Sequence, residues 1–329
     1  MDNFQLRESI QTFSLNDGPR GNQGYSRVLL QLFGYTGHGK SCFINSCIYV
    51  LNEGEDFIEH AKAGETFHGG AMTTVRKSYN LTKNITIVDN RGYKKMNSFE
   101  RAEIYAQLGN FIPIGEKVEW MTNFTDMMCR LEDAELNPNY SDFIVPILIY
   151  SAKCLTENEK EELKRFMDNC VKMTGVVPIV VITHKTSGDF MEAEKMFRLM
   201  GAEVVISMEN YTKEDHIKTR GRTEDILTIL HSALKDVKYR LGEKERNPRR
   251  DWRERKKFML EYIHKVDLEK KENEMRAAEE RRRTEQRRKE AERSKEKDRV
   301  KREDERRKEQ EWRAKGEKKK SEKNDCLIS

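Results

Sequence analysis

The sequence predicts a doubly wound, mainly parallel α/β sheet followed by a long charged α-helix. Short β-branched apolar runs without period-2 alternation recur between longer amphipathic stretches, and such runs suit strands covered on both faces. A glycine-rich turn joins the first run to a helix-like stretch. After Pro248 the composition changes: 37 of the 50 residues 271–320 are charged, 22 basic and 15 acidic.

Taken in order, residues 1–25 are polar and glycine-bearing and read as a flexible lead-in. A single α/β domain is read over 26–240. Its apolar runs are 27–33, 84–89, 143–150, 176–182 and 202–207. Between them lie helix-like segments at Ser41–Leu51, Ser98–Leu108, Glu157–Met173, Phe190–Met200 and Arg222–Val237. Strands alternating with helices imply parallel pairing. Residues 75–81, two residues before the second run, read as its antiparallel partner at the sheet edge. Residues 110–140 read as an insertion of unassigned shape. Residues 245–325 form the predicted helical tail. Trp252, Phe258, Met259, Tyr262, Ile263, Val266 and Leu268 keep helical spacing there, which predicts docking on a surface. Beyond Met275 apolar residues are too sparse for sustained heptads. Opposite charges three and four apart favour a solvated single helix over a coiled coil or disorder. As a helix, 251–315 would extend about 100 Å at ~1.5 Å per residue.

Charge excludes one class of function. The segment 271–320 carries +7, whereas the whole chain carries +5, leaving −2 for the remainder. The basic character belongs to the tail, so nucleic-acid binding by the folded domain gains no support. The six cysteines (Cys42, Cys47, Cys129, Cys154, Cys170 and Cys326) show no paired spacing and no zinc-site histidines. The N-terminus lacks a basic-then-apolar signal, and no apolar run approaches ~18 residues. These features predict a reducing, cytosolic setting.

The glycine-rich turn is Gly34-Tyr35-Thr36-Gly37-His38-Gly39-Lys40-Ser41, which satisfies G-x-x-x-x-G-K-[ST]. By chance a chain of this length shows the pattern on the order of 1% of the time, and the flanking strand and helix reduce that further. The glycines let backbone N–H groups close around phosphates at a helix N-terminus. Lys40 would neutralise β- and γ-phosphates, and the Ser41 hydroxyl would ligate Mg²⁺. Gly34, Thr36, Gly37, His38, Gly39, Lys40, Ser41 and Cys42 form the expected cradle. The second apolar run ends in Asp89 with Gly92 three residues later, a D-x-x-G pattern. Asp89 would hold Mg²⁺ through water, and the Gly92 N–H would face the γ-phosphate. Thr73 and Thr74 are the candidates for a threonine that closes on the metal. Thr74 is preferred because it lies nearer the edge strand.

The order GxxxxGKS, threonine-bearing loop, DxxG, "VVITHKTSGD" and "VVISMENYT" resembles the TRAFAC-type GTPase domain over residues 26–238. Within that group it resembles the immunity-associated GTPases and the interferon-induced protein 44 family, near the septins. The resemblance implies GTP/GDP as ligand, Mg²⁺ as cofactor, and a membrane or immune-defence context. The opening of Thr183-His184-Lys185-Thr186-Ser187-Gly188-Asp189 resembles the loop of immunity-associated and chloroplast-envelope receptor GTPases, where a residue at the His184 position stacks on guanine. Asp189 is the nearby candidate for the carboxylate that reads guanine, although its offset departs from N-K-x-D. Glu209 and Asn210 are placed to contact the base from the last loop. GTP is favoured over ATP. An ATP-using kinase or motor is disfavoured by D-x-x-G and by the lack of a second acidic motif.

In Ras-like GTPases a Gln after D-x-x-G orients the attacking water; here that position is Tyr93. Hydrolysis, expected to be slow, then draws on Lys40 and Thr74 with a residue such as His38, or on a second subunit. Arg91 reads as a trans-acting arginine or a solvated charge. The last four residues, Cys326-Leu327-Ile328-Ser329, match C-a-a-X with a terminal Ser that favours farnesyl. The preceding "KGEKKKSEK" supplies a polybasic second signal for an anionic membrane. The layout of GTPase, charged helix and prenylated end is similar to that of guanylate-binding proteins. The expected function is a GTP-binding switch at a cytosolic membrane face that self-associates when loaded. The alternative is a pseudo-GTPase scaffold acting through its helix.

Overall fold

The computed structural model describes residues 1–52, 54, 56–62, 74–94, 96, 98–121, 123–136, 138–153 and 159–325. It divides into two units, Met1–Asp267 and Leu268–Ser329.

The first unit holds one six-stranded sheet. In chain order its strands are β1 (Arg27–Phe33), β2 (Lys77–Asn80), β3 (Ile85–Asp89), β4 (Asp142–Ser151), β5 (Ile179–Thr183) and β6 (Val205–Ser207). The spatial order is β2-β3-β1-β4-β5-β6. All neighbours are parallel except the edge hairpin β2–β3. This is the predicted doubly wound sheet, and each apolar run becomes a strand within a few residues of its expected bounds. Pro146, which lacks an N–H, stands just before the β4–β5 ladder begins at Ile147.

Helices α2 (Lys40–Leu51), α3 (Ser98–Leu108), α5 (Lys160–Thr174) and α6 (Phe190–Leu199) lie between these strands, α7 (Arg220–Glu243) follows the last, and together they cover both faces. The two faces bury separate cores. Val145, Ile147 and Ile149 of β4 join Val28, Leu30 and Leu32 of β1 under α2 and α7. Ile144, Leu148 and Tyr150 point the other way, among Leu163, Phe166 and Phe197 of α5 and α6. The alternation along β4 follows from the two-residue period of a strand. Fully burying each such side chain contributes roughly 1.5–3 kcal/mol.

Two readings change. Residues 1–25 are not a loose lead-in: Asn3–Gln11 form α1, started by a capping box between Asp2 and Gln5. Leu6 and Ile10 are buried, and α1 packs against α7. Two buried positions over nine residues, beside an exposed Phe4, give too short a pattern to register in the sequence. The insertion also has a definite form. It contains α4 (Phe124–Leu136), and residues 115–118 pair antiparallel with 74–76 outside β2.

Helix α8 spans Pro248–Asp325. Its first turns belong to the first unit, as the helical spacing of 251–268 predicts. Trp252, Met259 and Ile263 are buried in the second core. Phe111 meets Trp252 with ring centroids 5.7 Å apart, and Tyr105 meets Tyr262 at 4.9 Å. Asp251 accepts from the Tyr25 hydroxyl at 2.5 Å and from Arg246 Nη1 at 2.8 Å. In the second unit the described side chains from Leu268 to Arg313 are exposed. They form ion pairs one turn apart, such as Arg283–Glu279 at 2.6 Å and Arg313–Glu309 at 2.7 Å. Among the described residues no helix is long and apolar enough to cross a membrane.

Candidate nucleotide site

Gly34–Gly39 join β1 to α2 at the carboxyl edge of the sheet, where open α/β sheets bind ligands. The loop lies so close to β4 that a Cβ on Gly34 would stand 2.2 Å from the Ile149 carbonyl oxygen. Only glycine fits there. Lys40 is buried, and its Nζ donates to the Gly34 and Tyr35 carbonyls, each at 2.9 Å. Burial pushes this ammonium down to about 8, opposed by the Asp89 carboxylate. The Ser41 hydroxyl donates to Asp89 Oδ2 at 3.0 Å, so the expected metal pair meets directly.

Gly92 packs over this group. A Cβ there would lie 2.7 Å from Lys40 Nζ and 3.1 Å from Thr36 Oγ1. The Thr36 N–H donates to the Tyr93 carbonyl at 2.9 Å, forming a one-residue parallel bridge between Tyr35 and Tyr93. Lys40, Ser41, Thr36, Asp89 and Gly92 thus converge at the N-terminus of α2. Tyr93 itself turns inward: its ring is fully buried against Tyr35, 4.7 Å between centroids. It presents no group that could orient water at the phosphate end.

His38 also points inward. Its Nδ1 accepts from the Ser151 N–H at 3.1 Å, and its ring stands edge-on to Tyr150 at 5.2 Å. Burial, then Lys40 and His184, push its pKa down to about 3, so the ring is neutral at physiological pH. This geometry makes His38, the candidate for a part in hydrolysis, a brace for the loop. Arg91 is half-buried: its guanidinium lies 4.3 Å over the Trp120 ring and donates to the Val118 carbonyl. Thr74 sits where the chain enters β2, with its carbonyl accepting from the Val118 N–H at 2.9 Å. Thr73 and Cys326 lie outside the described residues.

The base loop is assembled differently from its expected form. The Thr183 hydroxyl donates to the His38 carbonyl at 2.9 Å, tying β5 to the phosphate loop. Lys185 pairs with Asp225 of α7 at 3.2 Å. His184, half-buried with φ 59°, places Nδ1 2.9 Å from Ser151 Oγ, and burial lowers its pKa. Asp189, the candidate for reading the base, has a structural role in this fold. It is the N-cap of α6, accepting from the Glu192 N–H at 3.0 Å, and it is exposed. A helix start needs such an acceptor, and that role takes its carboxylate away from the loop. Glu209 instead meets the loop: its Oε2 accepts from Thr186 N at 3.1 Å and Thr186 Oγ1 at 2.9 Å. Asn210 reaches the cradle through the Gly39 carbonyl at 3.5 Å. Cys42, on the first turn of α2, is a part-buried thiol whose pKa burial raises. Sequence reasoning missed the tie from Thr183 to His38, because a Thr ending an apolar strand carries no local signal.

No model of a known protein family matches the chain, and no curated protein matches it. Among solved structures it is similar to Toc33 from Arabidopsis thaliana in complex with GDP and Mg²⁺. That similarity is 14% in sequence with a TM-score of 0.40, covering 72% of this chain and 92% of that one. A likeness at that level transfers no residue roles.

Proposed function

We propose that the chain is a GTP-binding switch with slow turnover. The observation that carries this is the convergence of Lys40, Ser41, Asp89 and Gly92 at the N-terminus of α2. Backbone N–H groups and the helix dipole there favour a phosphate. Lys40 Nζ, now on two loop carbonyls, is within a side-chain rotation of the phosphates it would neutralise. Ser41 Oγ and Asp89 Oδ2, 3.0 Å apart, are hard oxygen donors that fit Mg²⁺, with Thr74 as the candidate third group. When bound, that ion would offset charge on the β- and γ-phosphates. His184 would pack on the base, and Glu209, oriented by Thr186, would accept from the guanine N–H groups. Asn210 would support the cradle from behind.

Competition for a fluorescent GDP in the presence of Mg²⁺ tests the reading. GTP should displace the probe at least about tenfold more effectively than ATP, as expected for charge-assisted hydrogen bonds to the base. Equal displacement would remove guanine specificity, and a probe that never binds would overturn the reading.

A second reading is favoured by Tyr93 and His38, both turned away from the phosphate end: a nucleotide-binding scaffold without turnover. Wild-type hydrolysis that Lys40→Ala abolishes decides for the switch. Turnover per molecule that rises with protein concentration would support self-association of the loaded form. The membrane address, through a farnesyl group on Cys326 with the upstream lysines on an anionic surface, is a separable part of the proposal. Membrane partitioning in cells that survives Cys326→Ser would refute it.

A further inference from the structure

One fully buried cation takes no part in the site as described. Arg76, on the short stretch between Thr74 and β2, has no solvent exposure. Its Nε donates to Asn90 Oδ1 at 2.9 Å, Nη2 to Gln31 Oε1 at 3.0 Å, and Nη1 to Asn110 Oδ1 at 2.7 Å and to the Ile112 carbonyl. Among the described residues no carboxylate stands in ion-pair range of it. Asp142 is one step removed, accepting from Asn110 Nδ2 at 3.2 Å and already held by Arg27 at 2.7 Å.

Stability alone gives a poor account of this arrangement. An unpaired buried guanidinium carries a desolvation cost that an apolar side chain of similar size would not. Burial indeed pushes Arg76 down to about 9. Its partners show what the charge achieves. Asn90 follows Asp89 directly, and both ends of its amide are used: Oδ1 accepts from Arg76, and Nδ2 donates to Gln31 Oε1 at 3.1 Å. The amide is therefore fixed, and the turn from Asp89 to Gly92 with it. On the other side, the Arg76 N–H donates to the Glu116 carbonyl at 2.9 Å, and its carbonyl accepts from Gly115 at 2.7 Å. The same insertion strand holds Thr74 through Val118 N, and Val118 in turn accepts from Arg91. The segment at Thr74 and the turn at Gly92 are thus bound to each other by Arg76 and to a common strap at 115–118.

We propose that Arg76 is a positioning residue that couples the Thr74 segment to the Asp89–Gly92 turn, so that the two elements facing the γ-phosphate respond to it as one. This rests on the nucleotide reading above. The diphosphate contacts come from the Gly34–Ser41 cradle, which Arg76 does not touch, so its loss should act selectively on the triphosphate state.

The test uses the full chain, fluorescent GDP and a non-hydrolysable GTP analogue, both with Mg²⁺. Arg76→Met should lower the ratio of triphosphate to diphosphate affinity about tenfold, within the range of measured coupling between sites. Diphosphate affinity should stay within about threefold of wild type. Hydrogen exchange supplies a readout that a purely structural role would not move. In the wild type the analogue should slow exchange at Arg76 and Val118 together with Gly92; in Arg76→Met only Gly92 should respond. If Arg76→Met loses its cooperative melt, Arg76→Lys, which keeps the charge and loses the fork, decides by the same two readouts. An unchanged affinity ratio with wild-type exchange behaviour overturns the coupling and leaves nucleotide binding standing. A wild type that binds neither probe overturns both.

Discussion

At the phosphate end, the consecutive residues Gly34–Ser41 supply the loop, the cation and one metal ligand, and Asp89 and Gly92 complete it from one strand away. At the base end, Ser151, Thr183, Thr186, Glu209 and Asp225 come from the ends of β4, β5 and β6 and from α7, each giving one or a few contacts. On the proposed reading a phosphate would be recognised mainly by backbone, so its geometry would be fixed by spacing along the chain. A base would be recognised by side chains, so any loop that reaches it could supply the group. A mutation at the first end should therefore remove binding, whereas one at the second should change which nucleotide binds.

The largest expected effect breaks the phosphate end. Lys40→Met should cost nucleotide binding about 2–5 kcal/mol, the scale for truncating one partner of a buried charge pair, read by titration with fluorescent GDP. The same variant should be the more stable protein without ligand. The folded-state pKa of Lys40, about 8, lies below the ordinary lysine value of 10.5, so its burial cost is fully present below pH 8 and is relieved as pH rises towards 10.5. Removing it should raise ligand-free stability at pH 7 by roughly 3 kcal/mol, and the pH 7 to 10 difference in melting between variant and wild type should shrink accordingly.

The base end should respond more selectively. Glu209→Gln should weaken GTP by roughly 1.5–3 kcal/mol, the worth of hydrogen bonds to a charged group, with a smaller loss for inosine triphosphate, which keeps the N1–H donor but lacks the 2-amino group. Asp189→Asn should leave both affinities within about twofold; loss of guanine preference in that variant would reverse the assignment of the two carboxylates.

Between the two ends stands His38, tied to β4 and β5. Its pKa, about 3 in the folded protein, lies below the ordinary 6.5, so folding keeps a proton off it and stability falls as pH drops below 6.5. From pH 7 to pH 5 this should cost about 2 kcal/mol, and His38→Gln should flatten that part of the profile in chemical denaturation. The smallest effect is at the cap: Asp189→Ala should destabilise by about 1 kcal/mol without touching nucleotide affinity.

The contrast also explains what the sequence made legible. The strands, their mainly parallel pairing and the edge hairpin follow from periodicity and spacing, and Ser41, Asp89 and Gly92 lie together beside the glycine-rich turn. The capping role of Asp189 was not legible, because a carboxylate near the loop and a carboxylate capping a helix look alike in one dimension. The place of Glu209 depends on β6 and β5 being neighbours, a fact of topology. Arg76 is invisible in sequence, since an arginine before an edge strand ordinarily faces solvent. It is enclosed by Gln31, Asn90 and Asn110 together with the strap at 115–118, whose pairing depends on the fold of the insertion.

The burial of Trp252, Met259 and Ile263 sets where this chain can be cut and rejoined. A chimaera that exchanges the charged tail for another helix must place its seam after Asp267. Joined at Pro248 instead, it would strip Phe111 and Tyr105 of their aromatic neighbours and leave Tyr25 without Asp251. Such a product would report on a damaged domain and reveal nothing about the tail it was built to replace.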